Sequence, residues 1–162
     1  MASELPADLT LTPLDGDGRT VSEWLTTFHL APVVVDPYTN ESAWILDTAA
    51  RVLRTLRGAD VRVCWLVAAD ADGAAAFLGP LADEFLTFVD PDRVAIRALG
   101  VQRLPAFAFV MMDGSIAAVA EGWHPLQWRA VAEKVAEATA WKAPLIPEPG
   151  DPRPYDGSAA LV

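Results

Sequence analysis

The chain has 162 residues, 52% of them hydrophobic, and a formal net charge of −10 from 12 basic and 22 acidic side chains. That apolar share builds the core of one domain and excludes a disordered chain. The acidic excess repels phosphate backbones and anionic lipid, so nucleic-acid binding is not expected. No apolar run reaches the roughly 20 residues of a membrane span. Residues 1–8 are acidic, without the basic and apolar regions of a secretion signal, so the expected location is cytoplasmic.

Residues 9–14 read as an opening strand, and Asp15, Gly16, Asp17 and Gly18 as a turn. The later ligands and terminal Glu of an EF-hand are missing, which favours a simple turn. Thr20 or Ser22 caps a short helix to Phe28, with Val21, Trp24, Leu25 and Phe28 at three- and four-residue steps. The β-branched run 31–35 predicts a strand covered on both faces, ended by Asp36 and Pro37. Thr39, Asn40, Glu41 and Ser42 are candidate caps for a helix over 42–56. Its buried stripe is Trp44 or Ile45, then Ala49, Val52, Leu53 and Leu56, and Gly58 ends it.

Residues 61–68 form the next strand, Asp70 to Gly73 open a short helix at 74–78, and 85–89 form another strand. Asp90 and Pro91 start a short helix with Val94, Ile96, Ala98 and Leu99 inward, ended by Gly100. Residues 106–112 and 115–120 make a hairpin on Asp113-Gly114. The last helix covers 126–140, with Leu126, Ala130, Val131, Val135 and Ala138 inward. From Lys142 onward Pro144, Pro147, Pro149, Pro152 and Pro154 interrupt any periodicity, which predicts an extended tail and not a folded element. The pattern predicts an α/β sandwich: a mixed central sheet flanked by helices. Its parts are an N-terminal strand and helix extension (1–31), a central domain (32–141) and a Pro-rich C-terminal tail (142–162).

Cys64 is the only cysteine, so disulfide exchange within the chain has no second sulfur. Between Val63 and Trp65 in a strand, it reads as a buried small hydrophobe. His29 and His124 have no Cys or second His at metal-ligand spacing, so neither metal nor cofactor is expected. A triad of Ser42, His124 and an Asp lacks the Gly-x-Ser-x-Gly elbow, and no catalytic residue is assigned. Arg51, Arg54 and Arg57 form a solvated stripe. Trp128 and Trp141 lie off the predicted stripe of the last helix. Either the tail or a partner is expected to cover them, with the tail covering at least one.

Three pieces carry a resemblance: Val33-Val34-Val35 followed by Asp36, Leu104-Pro105 followed by an apolar strand, and the Asp113-Gly114 hairpin with its closing helix. Over 33–140 the chain resembles the thioredoxin superfamily, which implies a thioredoxin-like sandwich with a cis peptide before Pro105. With Asp36 in the place of the family's buried aspartate, Ser42 and Ile45 fall where the redox cysteines would stand. The aspartate's usual part in proton movement then has no disulfide to serve, and Asp36 is read as a strand-ending hydrogen-bonding group. Gly122-Trp123-His124-Pro125 and the approach from Ala98 to Pro105 are similar to the HyaE-type hydrogenase accessory proteins. Those are thioredoxin-fold proteins without the cysteine pair, implicated in handling a hydrogenase subunit precursor.

The resemblance implies a redox-inactive protein that binds a partner protein or extended peptide, or assists its assembly. The expected site is an open groove between the 37–42 loop and the segment before Pro105, involving Asp36, Tyr38, Ser42, Ile45, Leu104 and Pro105. Leu104 would offer its backbone to the peptide. The alternatives are a thiol-dependent oxidoreductase or peroxidase relying on Cys64, and a structural subunit of a larger complex or homodimer joined through the tail and tryptophans.

Overall fold

A computed structural model describes residues 2–161; Met1 and Val162, the outermost residues of the predicted extension and tail, lie outside the described residues. The chain opens with β1 (Thr10–Pro13), antiparallel to the short β2 (Arg19–Thr20). Thr20 then starts α1 (Val21–Trp24) with a reciprocal cap: its hydroxyl accepts from the Glu23 N–H, and the Glu23 carboxylate accepts from the Thr20 N–H. This helix stops short of Phe28. The β-branched Thr26 and Thr27 favour the turn that leads into β3 (His29–Val35), so His29 begins a strand and does not end a helix.

The single helix expected over 42–56 is two. After α2 (Asn40–Ala43), Trp44 and Ile45 make a turn, and α3 (Leu46–Leu56) follows. Ile45 is buried and Trp44 is 56% exposed, so the inward stripe starts at Ile45. The chain continues through β4 (Val61–Val67), α4 (Ala71–Leu78), α5 (Leu81–Glu84), β5 (Leu86–Val89) and α6 (Val94–Leu99). The carboxylates of Asp70 and Asp90 accept backbone N–H groups at the starts of α4 and α6, satisfying donors that a helix leaves unpaired. In α6 the inward residues are Ala95, Ile96 and Leu99, and Val94 faces solvent, because the chain enters this helix through Arg93 in the left-handed region (φ 57°).

β6 (Arg103–Leu104) leads into the cis Leu104–Pro105 bond, β7 (Ala106–Val110) and β8 (Ile116–Glu121). The hairpin is wider than a two-residue turn: the Met111 N–H donates to the Ser115 carbonyl, and a register shift falls at Phe109 and Val110. α7 (Pro125–Thr139) closes the core, and β9 (Ser158–Ala159) lies near the chain's end.

The sheet order is β2-β1-β5-β4-β3-β7-β8. β3 and β5 run parallel to β4, and β1 and β7 are antiparallel to their neighbours β5 and β3. β3 sends Ala31, Val33 and Val35 toward α3 and α7, and Leu30 and Val34 toward α1 and α6. That two-sided burial explains its unbroken apolar run. Among the described residues, no helix is long and apolar enough to cross a membrane.

The inward face of α7 is Trp128, Val131, Ala132, Val135 and Ala136; Leu126 is 70% exposed, and Ala130 and Ala138 are also exposed. The anchor is Trp128. Its ring packs on Phe107 and Trp123 at centroid distances of 5.1 and 5.3 Å, and its Nε1–H donates to the Gly122 carbonyl.

The tail is also folded onto the domain. The Trp141 indole donates to the Thr55 carbonyl at 2.7 Å and lies over Gly58. Ile146 is buried, and its carbonyl accepts from Arg129. Arg51 does not belong to a solvated stripe, since it pairs with Glu148 at 2.9 Å and Asp151 at 2.8 Å, while Arg54 and Arg57 share Glu84. The tail shows no periodicity because isolated anchors and main-chain hydrogen bonds hold it, not an apolar face.

Candidate functional site

The candidate site lies where β3 ends and the chain approaches Pro105. The Asp36 side chain is almost fully buried and each oxygen has a partner. Oδ1 accepts from the Tyr38 N–H at 2.9 Å, an Asx turn that ends the strand, and Oδ2 accepts from Arg93 Nη2 at 2.8 Å. The Asp36 N–H donates to the Ser42 hydroxyl at 2.9 Å. Asp36 is thus consumed in fixing the loop, and the partly buried Arg93 guanidinium balances its charge.

Ser42 and Ile45 are fully buried. They face the core, so they do not contribute a contact surface as expected; a short hydroxyl and an apolar side chain are satisfied by the Asp36 amide and by core packing. Tyr38 is 76% exposed, with its hydroxyl near Gly73 at the start of α4. Leu104 and Pro105 are buried as well, so what this strand offers is its main chain.

The groove beside Leu104 is not open, as the resemblance implied. The protein's own tail fills it. β9 pairs antiparallel with β6, Arg103 opposite Ala159 and Leu104 opposite Ser158. The Ala160 N–H donates to the Gln102 carbonyl at 2.9 Å. On the other side of Pro105, Tyr155 and Trp123 exchange both main-chain hydrogen bonds, at 2.8 and 3.0 Å. The Tyr155 hydroxyl donates to the Glu41 carbonyl in α2, and its ring meets Trp44 edge-on at 5.4 Å. The Trp123 indole donates to the Pro152 carbonyl at 2.8 Å.

Arg93 joins the two halves. One guanidinium nitrogen holds Asp36, and the other, Nη1, donates to the Ala160 carbonyl at 2.6 Å. Arg103 likewise reaches the Gly157 carbonyl, and Glu121 accepts from the Gln102 and Arg103 N–H groups, fixing β6. His124 Nε2 stands 3.1 Å from Asp156 Oδ1. Sequence reasoning missed Arg93, Tyr155, Gly157 and Ala160. The one available signal was an aromatic residue amid the prolines of the tail, at Tyr155.

Cys64 sits in the middle of β4, fully buried, and burial pushes its thiol well above the ordinary range. His29 is occupied elsewhere, its Nδ1 accepting from the Met112 N–H at 2.9 Å. Among the described residues, no group of three or more His, Cys, Asp or Glu side chains is placed to hold a metal ion.

A parallel β3–β4 pair, β7 antiparallel to β3, helices on both faces and a cis-proline facing the end of β3 define the thioredoxin-like fold. Solved structures share it. MTB dsbF is 20% identical with a TM-score of 0.66, covering 83% of this chain and 99% of its own. Peroxiredoxin Q of Xanthomonas campestris, as a cysteine-to-serine mutant, is 15% identical with a TM-score of 0.65, covering 85% of this chain and 96% of its own. A hypothetical protein of Sinorhizobium meliloti 1021 is 14% identical with a TM-score of 0.69, covering 99% of this chain and 93% of its own. No protein-family model and no curated protein matches the sequence.

Proposed function

We propose that this protein binds an extended polypeptide segment beside Pro105 without redox chemistry, and so assists the handling or assembly of a partner protein. The observation that carries the reading is the β6–β9 pairing: the main chain of Arg103 and Leu104 already holds an extended segment in strand geometry. Strand addition of this kind draws affinity from main-chain hydrogen bonds and selectivity from the side-chain pockets. The site has the parts for both, since Arg93 and the Gln102 carbonyl take the backbone while Tyr155 and Ala160 mark where side chains seat. Trp123 and His124, which carry the likeness to the HyaE-type accessory proteins, both touch the tail segment in the groove. That supports an assembly role of the same kind.

A thiol-dependent reading draws no support from Cys64, which lies inside the sheet with a thiol held neutral. The test is paired. Wild-type protein and Cys64→Ser are assayed for insulin-disulfide reduction and peroxide consumption, and both are expected to be inactive. Wild type and Arg93→Ala are then screened against an array of extended peptides. Weaker binding by an Arg93→Ala chain that keeps the wild-type circular dichroism spectrum supports the reading, and peptide binding indifferent to that substitution defeats it.

A further inference from the structure

The segment lying in the groove also reports which sequences fit there. Gly157 has φ +85°, and a Cβ built on it would run into the Leu104 carbonyl and come within 3.3 Å of the Gly122 Cα. Gly122, on the groove wall, is cut in the same way: a Cβ there would stand 2.6 Å from the carbonyl oxygens of Tyr155 and Asp156. Two glycines therefore let two main chains meet at a spacing that no other residue permits. Three residues further on, Ala160 is fully buried and its carbonyl is held by Arg93, so that place takes a small side chain. Two residues before Gly157, Tyr155 fills the gap between Trp44 and the Glu41 carbonyl. Asp156 between them is open to solvent and carries little selectivity.

We propose that the groove is selective for a partner segment of the pattern aromatic-x-Gly-x-x-Ala in extended form. The protein's own residues 155–160 occupy the place until such a segment displaces them. The inference rests on the reading that this groove binds polypeptide, and it adds the ligand class and the competitor. A partner protein is the expected occupant. The stretch just before the tail segment is fastened to its own domain by the buried Ile146 and the Arg51 pairs with Glu148 and Asp151, which keeps each chain's segment beside its own groove.

The test uses the full chain. Gly157→Val unseats the tail segment, and a fluorescein-labelled peptide with the native sequence of residues 152–162 is titrated against it by anisotropy. The variant chain is expected to bind this peptide, and the wild-type chain to bind it at least about tenfold more weakly, because its tethered segment competes at high local concentration. A peptide with valine at the Gly157 position is expected to bind neither chain. Should Gly157→Val not accumulate as folded protein, Ala160→Glu unseats the same segment from its other end. A folded variant chain that ignores the native peptide overturns the proposal, as does equal binding of the valine peptide. Arg93-dependent capture of peptides lacking the glycine would leave the groove reading standing and remove only the selectivity. A wild-type chain that elutes as a dimer, dissociated by the native peptide, would make a second copy the occupant and overturn the assignment to a partner protein.

Discussion

Arg93 and Asp36 form an ion pair buried beneath the tail, 2.8 Å from Nη2 to Oδ2. The pair ties the end of β3 to the turn before α6, and through Arg93 Nη1 it also reaches the Ala160 carbonyl just past β9. A carboxylate with a guanidinium on one oxygen and a backbone amide on the other is held in one position.

Arg93→Met leaves the Asp36 charge buried without its partner and is expected to cost about 3–5 kcal/mol. The double substitution Asp36→Asn with Arg93→Met keeps an acceptor for the Tyr38 amide and removes both charges, so it should recover more than half of that loss. Urea unfolding of the wild type, the single variants and the double variant measures the coupling. Additive losses would show that the pair does not act as a unit.

The α7 face supplies a direct contrast. Trp128→Ala removes a ring packed on Phe107 and Trp123 and an indole donor to Gly122, and should destabilise the fold by about 3–5 kcal/mol. Leu126→Ala, on the exposed side, should change stability by no more than about 0.5 kcal/mol. Thermal melts of the two variants decide between this face and the one that periodicity predicted.

Cys64 gives a pH signature. Burial raises its thiol in the folded chain, whereas in the unfolded chain the thiol ionises near the ordinary value of about 8.5. Below that value both states hold the proton and stability is unaffected. As pH rises above it the unfolded state alone loses the proton, so stability falls by up to about 1.4 kcal/mol per pH unit. Denaturant unfolding at pH 8 and pH 10 should show the fall, and Cys64→Ala should flatten it. In the native protein the thiol should resist an aromatic disulfide reagent that labels it fully in denaturant.

The parts of the fold legible in the sequence are those written in apolar periodicity. β3, β4 and β5 each announce themselves as apolar runs bounded by Asp, Pro or Gly, and α3 by its three- and four-residue steps. In α7 the helical period picks out Leu126 and passes over Trp128, whose place in the core is fixed by a tertiary contact, the indole's hydrogen bond to the Gly122 carbonyl. At the candidate site, Asp36 and Pro105 stand out in the sequence as strand punctuation, while a binding role for them and for Leu104 came only from the resemblance. Ser42 and Ile45 were assigned a surface role that their burial removes. The tail was opaque for a different reason: its segment 155–160 binds through backbone groups that every residue possesses, and the glycine that permits the approach looks like any turn glycine.

Gly122 is the place to separate the groove from the core. It adopts φ +67°, and any side chain there meets the Tyr155 and Asp156 carbonyls at 2.6 Å. Gly122→Ala is therefore expected to push the tail off the Trp123 main chain while β7, β8 and the Trp128 packing beneath remain in place. The Tyr155 and Ala160 amides donate to the Trp123 and Gln102 carbonyls, so hydrogen exchange is expected to find them at least about tenfold faster in the variant than in the wild type. The amides of β3 and β4 should be unchanged, since a local opening that leaves the sheet paired does not expose them. Equal acceleration of the sheet and tail amides would mean that the tail is an inseparable part of the fold, and that no peptide enters the groove without unfolding the domain.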